Sequence, residues 1–88
     1  MAVTIIRSSE FERHFRKLPL KIREKVSDRL RIFVQDEFSP ILNNHKLLGR
    51  NKDCRSINAT GDYRILYREI ENSFYLLVDV GTHCDLWG

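Results

Sequence analysis

What the sequence lacks narrows its class first. It contains two cysteines, two prolines and four glycines in 88 residues. No apolar run approaches the roughly 18 residues that a membrane-spanning helix needs. The opening stretch "MAVTIIRSSE" has an acid soon after a short apolar run and no small-residue cleavage pattern, so it does not read as a secretory leader. No membrane segment and a cytoplasmic location are therefore the expectation. Cys54 and Cys84 lack the C-x-x-C spacing of redox and metal motifs. Without a leader they read as reduced thiols. Structural zinc takes about four ligands at characteristic short spacings, and the two Cys and three His offer none. No metal and no cofactor is expected. Repeats, linkers and low-complexity tracts are also missing, so residues 1–88 read as a single domain.

Size limits what such a domain can hold. A chain of this length buries a little over ~60% of its unfolded surface. That provides one core and a shallow surface site rather than a deep pocket. The formal net charge is only +3, but it is unevenly spread. Lys46, Arg50, Lys52, Arg55, Arg64 and Arg68 face only Asp53 and Asp62 in the same stretch, and no Lys or Arg follows Arg68. The first half is also rich in Arg and Lys. Clustered positive charge on a small domain fits a polyanion or an acidic partner segment. A solvated basic face would give the same composition.

Periodicity then divides the chain. "AVTIIR" is a short β-branched run, read as a first strand. Ser8 or Ser9 can cap a helix with Glu10 and Glu12 in its first turn, and Phe11, Phe15 and Leu18 share one helical face. Pro19 breaks the pattern and can open the next helix. There Ile22, Val26, Leu30, Phe33 and one of Glu37 or Phe38 line a face. A Pro-, Gly- and Asn-containing loop follows from Ser39. From Cys54 the period becomes two, giving strands at 54–58, 63–69 and 74–80, with a Gly61 turn between the first two. In the last strand Phe74, Leu76, Val78 and Val80 are expected on one side. The order β-α-α-β-β-β predicts an α+β two-layer sandwich: a helical hairpin over an antiparallel sheet whose other face is partly open and carries Arg64 and Arg68.

The segments "HKLLG", "CRSINATGDYRILYRE" and "VGTHCDLW", following a basic helical hairpin, resemble the RelE/ParE superfamily of toxins from toxin–antitoxin pairs, and within it the YafQ-type messenger-RNA endonucleases. The resemblance implies cleavage of mRNA on the ribosome without a metal, by attack of a ribose 2′-hydroxyl on the adjacent phosphate. It assigns His45, Asp62, His83 and Arg64 to catalysis. Lys46, Arg50, Lys52, Arg55, Asn58, Tyr63 and Trp87 then contact RNA. Asn58 stands where the YafQ pattern has a histidine, and an amide cannot exchange a proton near neutral pH. The expected partners are ribosome-bound mRNA and a cognate antitoxin, a small DNA-binding protein encoded nearby, which would form a hetero-oligomer with a monomeric toxin. A gyrase-directed ParE-like toxin and a catalytically weakened antitoxin-binding homologue are the alternatives.

The residue types suit that chemistry. Histidine is the side chain whose ordinary pKa lies nearest neutrality, and a placed acid or base contributes ~10²–10⁴-fold. His45 and His83 are the natural pair, with His83 favoured as acid and His45 or Asp62 as base. Arg64, with Arg55 or Lys46, would stabilise the charge that develops on phosphorus. Tyr63 and Trp87 would offer flat surfaces to bases.

Overall fold

The computed structural model describes residues 3–47 and 53–87, with Trp87 described through its backbone only. The elements are β1 (Thr4–Arg7), α1 (Ser9–Arg16), α2 (Leu20–Gln35), a 3₁₀ turn (Pro40–Leu42), β2 (His45–Lys46), β3 (Arg55–Thr60), β4 (Tyr63–Glu71), β5 (Phe74–Thr82) and α3 (His83–Trp87). The strands form one sheet in the order β1-β5-β4-β3-β2. β1 runs parallel to β5, and every other neighbouring pair is antiparallel. The α+β arrangement matches the sequence expectation. Two elements are additional: the two-residue β2 inside the predicted loop, and the closing helix α3. No helix among the described residues is long and apolar enough to cross a membrane.

Ser8 caps α1 and fixes it to the sheet at the same point. Its hydroxyl accepts from the Phe11 amide at 3.0 Å and donates to the Val78 carbonyl of β5 at 2.9 Å. One side chain thus supplies a helix orphan donor with a partner and docks the helix. α2 follows Pro19, which serves as its N-cap. Its Val26, Leu30 and Phe33 are buried against the sheet, as the periodicity predicts.

β5 does not follow the predicted phase. Tyr75, Leu77 and Val80 face the helices, whereas Phe74 is exposed. A register shift against β4 lies between the Leu66–Asp79 and Tyr67–Leu77 pairs and changes the alternation part-way along the strand. Positions 74 to 78 of β5 are all apolar or aromatic. A period of two is not readable in such a run.

The end of α2 is held by a polar knot under the core. Glu37 turns inward, while Phe38 is left 61% exposed. The Tyr67 hydroxyl donates to Glu37 Oε2 at 2.7 Å and the Tyr75 hydroxyl to Oε1 at 2.8 Å. Asn44 Nδ2 donates to the Tyr67 hydroxyl at 2.6 Å and to the Glu37 carbonyl at 3.0 Å, and Arg55 Nε donates to Asn44 Oδ1 at 2.6 Å. The rings of Phe33, Tyr67 and Tyr75 meet edge to face above it. Burial, with the neighbouring Glu37 carboxylate, pushes the Tyr75 phenol up to about 12 and raises the Tyr67 phenol further.

Two outcomes follow from the knot. Glu37→Ala removes the acceptor of two buried hydroxyls and is expected to cost about 2–4 kcal/mol in urea unfolding, against about 1 kcal/mol for Tyr75→Phe. The raised phenol values mean that the folded state holds its protons longer. The knot's contribution is therefore complete below the unfolded phenol pKa of about 10 and lost as pH rises toward 12. A stability-versus-pH series should fall in that window, and less steeply in Tyr75→Phe.

Candidate functional site

Facing strand partners share a sheet face, so the register assigns each side chain. Ile57, Ile65, Tyr67, Leu77 and Val80 lie under the helices. The opposite face therefore carries His45, Ser56 and Asn58 from β2 and β3, Arg64, Leu66 and Arg68 from β4, and Gly81 from β5. Arg64 is the centre of one cross-strand row, with Asn58 on one side and Gly81 on the other. It is partly buried, and its Nη1 donates to the carbonyls of Gly61 at 2.9 Å and Tyr63 at 3.0 Å. The guanidinium is thus folded back over the β3–β4 turn. Gly61 makes that turn possible: its φ of +51° is a conformation that a Cβ would strain. Asp62 follows, exposed at the tip.

α3 brings His83 to the same turn. β5 ends at Thr82, which faces Tyr63 across the sheet. The His83 amide then donates to the Asp62 carbonyl at 3.1 Å. A reciprocal capping box sets the helix start: the Asp85 amide donates to Thr82 Oγ1 and the Thr82 amide to Asp85 Oδ2, each at 3.1 Å. Hydrogen bonding to the carboxylate from the Thr82 backbone first and its side chain second, with the charge of His14 adding to it, holds the Asp85 carboxyl below its ordinary range. Gly81 is required by close approach, because a Cβ there would stand 3.1 Å from Asp85 Cβ and 3.3 Å from its Oδ2. The last strand thus runs two residues beyond the predicted 74–80, and His83 opens a helix. The signal was present in "THCD", a Thr followed three residues later by an acid.

His45 lies elsewhere on the same face. It faces Ser56, whose row continues through Leu66 to Asp79. With ~4.8 Å between strands and ~3.3 Å per residue along them, the backbones of His45 and His83 are on the order of 15–20 Å apart. The structure brings His83, Asp62, Arg64 and Asn58 together and leaves His45 at the β2 edge, exposed, with Nδ1 2.9 Å from the Asn43 carbonyl. His45 and His83 therefore do not meet as the expected pair.

The cations predicted to assist Arg64 are also separated from it. Arg55 faces Tyr67 and Lys46 faces Arg55, which places both on the helix side. Arg55 is bonded to Asn44 and lies over the Phe38 ring at 5.3 Å. Tyr63, expected to offer its ring to bases, packs against the core instead. Asn58 remains on the Arg64 face, and its Oδ1 is buried without a hydrogen-bond partner. Arg50, Lys52 and the Trp87 side chain lie outside the described residues. Cys54 and Cys84 are free thiols. No group of three or more His, Cys, Asp or Glu able to hold a metal ion occurs among the described residues.

A helical pair on a five-stranded sheet, closed by a short C-terminal helix, is a fold that this chain shares with solved toxin structures. YafQ from E. coli strain BL21(DE3) matches this chain with a TM-score of 0.81, covering 98% of it and 99% of YafQ at 16% identity. The E. coli DinJ–YafQ toxin–antitoxin complex matches with 0.79, over 100% of both chains at 16% identity. The YoeB/ParE toxin from Agrobacterium tumefaciens matches with 0.76, over 92% of this chain and 99% of that one at 15% identity. No family model and no curated protein matches the sequence. At these identities the likeness is one of fold.

The capping box has a pH signature. A carboxyl lowered by folding contributes stability above its unfolded pKa of about 4, and the contribution is lost as pH falls through its lower folded value. In an NMR acid titration the Thr82 and His83 amides should lose protection before those of β4. Gly81→Ala, which displaces Asp85, should produce the same loss at neutral pH.

Proposed function

We propose that this chain is the toxin of a type II toxin–antitoxin pair, acting in the cytoplasm as an endoribonuclease that cuts mRNA on the ribosome. The observation that carries the reading is the bond from the His83 amide to the Asp62 carbonyl, beside Arg64 on the helix-free face. It brings the backbones of Asp62 and His83 together beside Arg64 on a shallow surface, which supports an imidazole, a carboxylate and a guanidinium acting at that turn.

Those three groups suffice for transesterification. The 2′-hydroxyl of the message attacks the adjacent phosphorus, and its proton passes to Asp62. Negative charge builds on the non-bridging oxygens, where Arg64 donates charge-assisted hydrogen bonds. The bond from phosphorus to the 5′-oxygen breaks, and His83 protonates that oxygen. A 2′,3′-cyclic phosphate and a free 5′-hydroxyl result. Arg64 uses Nη1 for both of its hydrogen bonds to the turn, so its other nitrogens supply the donors for phosphate. Asn58, facing Arg64, can hydrogen-bond but cannot take the proton. His45, at the β2 edge, would contact the message away from the scissile bond. The ribosome would align the message over a site that has no walls of its own. The DinJ–YafQ structure, a toxin–antitoxin complex on the same fold, supports a cognate antitoxin as the second partner.

A second reading is a toxin that does not cut RNA, and the distance between His45 and His83 favours it. The two separate in a translation extract. In a single-turnover assay on ribosome-bound message, His83→Ala and Arg64→Ala should each lower the cleavage rate by about 10²–10³-fold. His45→Ala should lower it by less than about tenfold, which for a peripheral contact is within the range of a single hydrogen bond. Intact message with the parent chain, or equal small effects for all three variants, would exclude the nuclease.

A further inference from the structure

We propose that His14 is a positioning residue for His83, acting from α1 through Asp79 and Asp85 to fix the seat of α3. This rests on the reading of His83 as a reacting group.

α3 has five residues. A helix that short does not persist on its own propensity, so its position depends on what surrounds it. On one flank it is tied to the Asp62 turn and to Thr82. On the other lies a cleft of about 420 Å³, bounded by α1, the end of β5 and α3, and lined by His14, Lys17, Asp79, Gly81, Asp85 and Leu86. Among the described residues that line it, His14 is the one aromatic ring. Its Nδ1 is 2.6 Å from Asp79 Oδ1, and the Asp79 side chain is only 21% exposed. The contact spans 65 residues of sequence and fixes the imidazole to β5 rather than to its own helix. Asp79 Oδ1 also accepts from the Val80 amide at 2.8 Å, which holds the carboxylate in place.

The charged groups around the ring come from three elements: Asp79 from β5, Asp85 from α3 and Lys17 from α1 itself. Glu10 and Arg13 of α1 are paired with each other. His14 thus shares one cleft with carboxylates from two different elements, Asp79 of β5 and Asp85 of α3, and its charge favours the ionised Asp85. Asp85 is the residue whose side chain completes the α3 capping box. It also packs against Gly81, the cross-strand neighbour of Arg64. Movement of Asp85 therefore changes the pitch of α3 and the direction from which His83 meets the turn. His14 touches none of the reacting groups. Its effect passes through the carboxylate it steadies.

The test uses the full chain with His14→Leu, Asp85→Asn and the double variant. Asparagine keeps an oxygen for the Thr82 amide while removing the charge, and Asp85 is exposed, so that variant folds. By amide hydrogen exchange, each single variant should raise the exchange rate at His83 roughly fivefold, and the double variant no further. The Ile65 and Leu77 amides should keep their protection. Turnover of message should fall by the same roughly fivefold factor in kcat with KM unchanged, because α3 is displaced without loss of RNA contacts. Unchanged exchange at His83, additive effects in the double variant, or a uniform loss of protection across the sheet would overturn the proposal. The exchange result decides it even where no message is cut, whereas cleavage by the parent chain decides the reaction separately.

Discussion

The Glu37 carboxylate, shared between the hydroxyls of Tyr67 and Tyr75, is the constraint on which the rest of the molecule depends. It ends the helical layer against two central strands with one side chain. A buried phenol needs an acceptor, and two phenols on neighbouring strands accept the same one only if those strands hold a single register. The knot therefore does more than add stability. It fixes where the Tyr67 stretch of β4 lies beside the Tyr75 stretch of β5. Through Asn44 it extends to the chain immediately before His45, where β2 forms the sheet edge.

Much of this was legible in the sequence. Ser8 as a cap, Pro19 as a break, and the spacing of Val26, Leu30 and Phe33 predict the two helices and their buried faces. The alternation in "YRILYRE" correctly puts Arg64 on the opposite face from Ile65 and Tyr67. Other features were not legible, for identifiable reasons. β5 opens on five consecutive apolar or aromatic residues, which hides any alternation, and a register shift then resets its phase. Glu37 and Phe38 compete for the same inward position, and hydrophobicity alone favours the phenylalanine. The glutamate takes it because two tyrosines far along the chain offer it hydrogen bonds. Long-range partners of that kind have no local signature.

The candidate site divides in the same way. Asp62, Arg64 and His83 were named from their motifs, and the fold gathers them at one turn. Counting basic residues along the chain could not show that the sheet would separate them. Lys46 and Arg55 alternate onto the helix side, where Arg55 helps hold Asn44 instead of facing solvent with Arg64. His14 of α1 carries no local signal of its role, because its Asp79 partner lies 65 residues away. A strand of basic charge in sequence thus becomes two surfaces with different tasks: one presents Arg64 beside the turn, the other steadies the edge strand.

The parallel pairing of β1 with β5 has a consequence for how the molecule comes into being. Thr4 lies beside Phe74, and the Ser8 that caps α1 needs the Val78 carbonyl. During synthesis the amino-terminal strand and first helix accordingly wait, without a template, until the fifth strand has emerged. Closure of so long a loop favours a late, concerted assembly. Any binding partner arriving earlier would meet the components of the fold before a surface had formed to receive it.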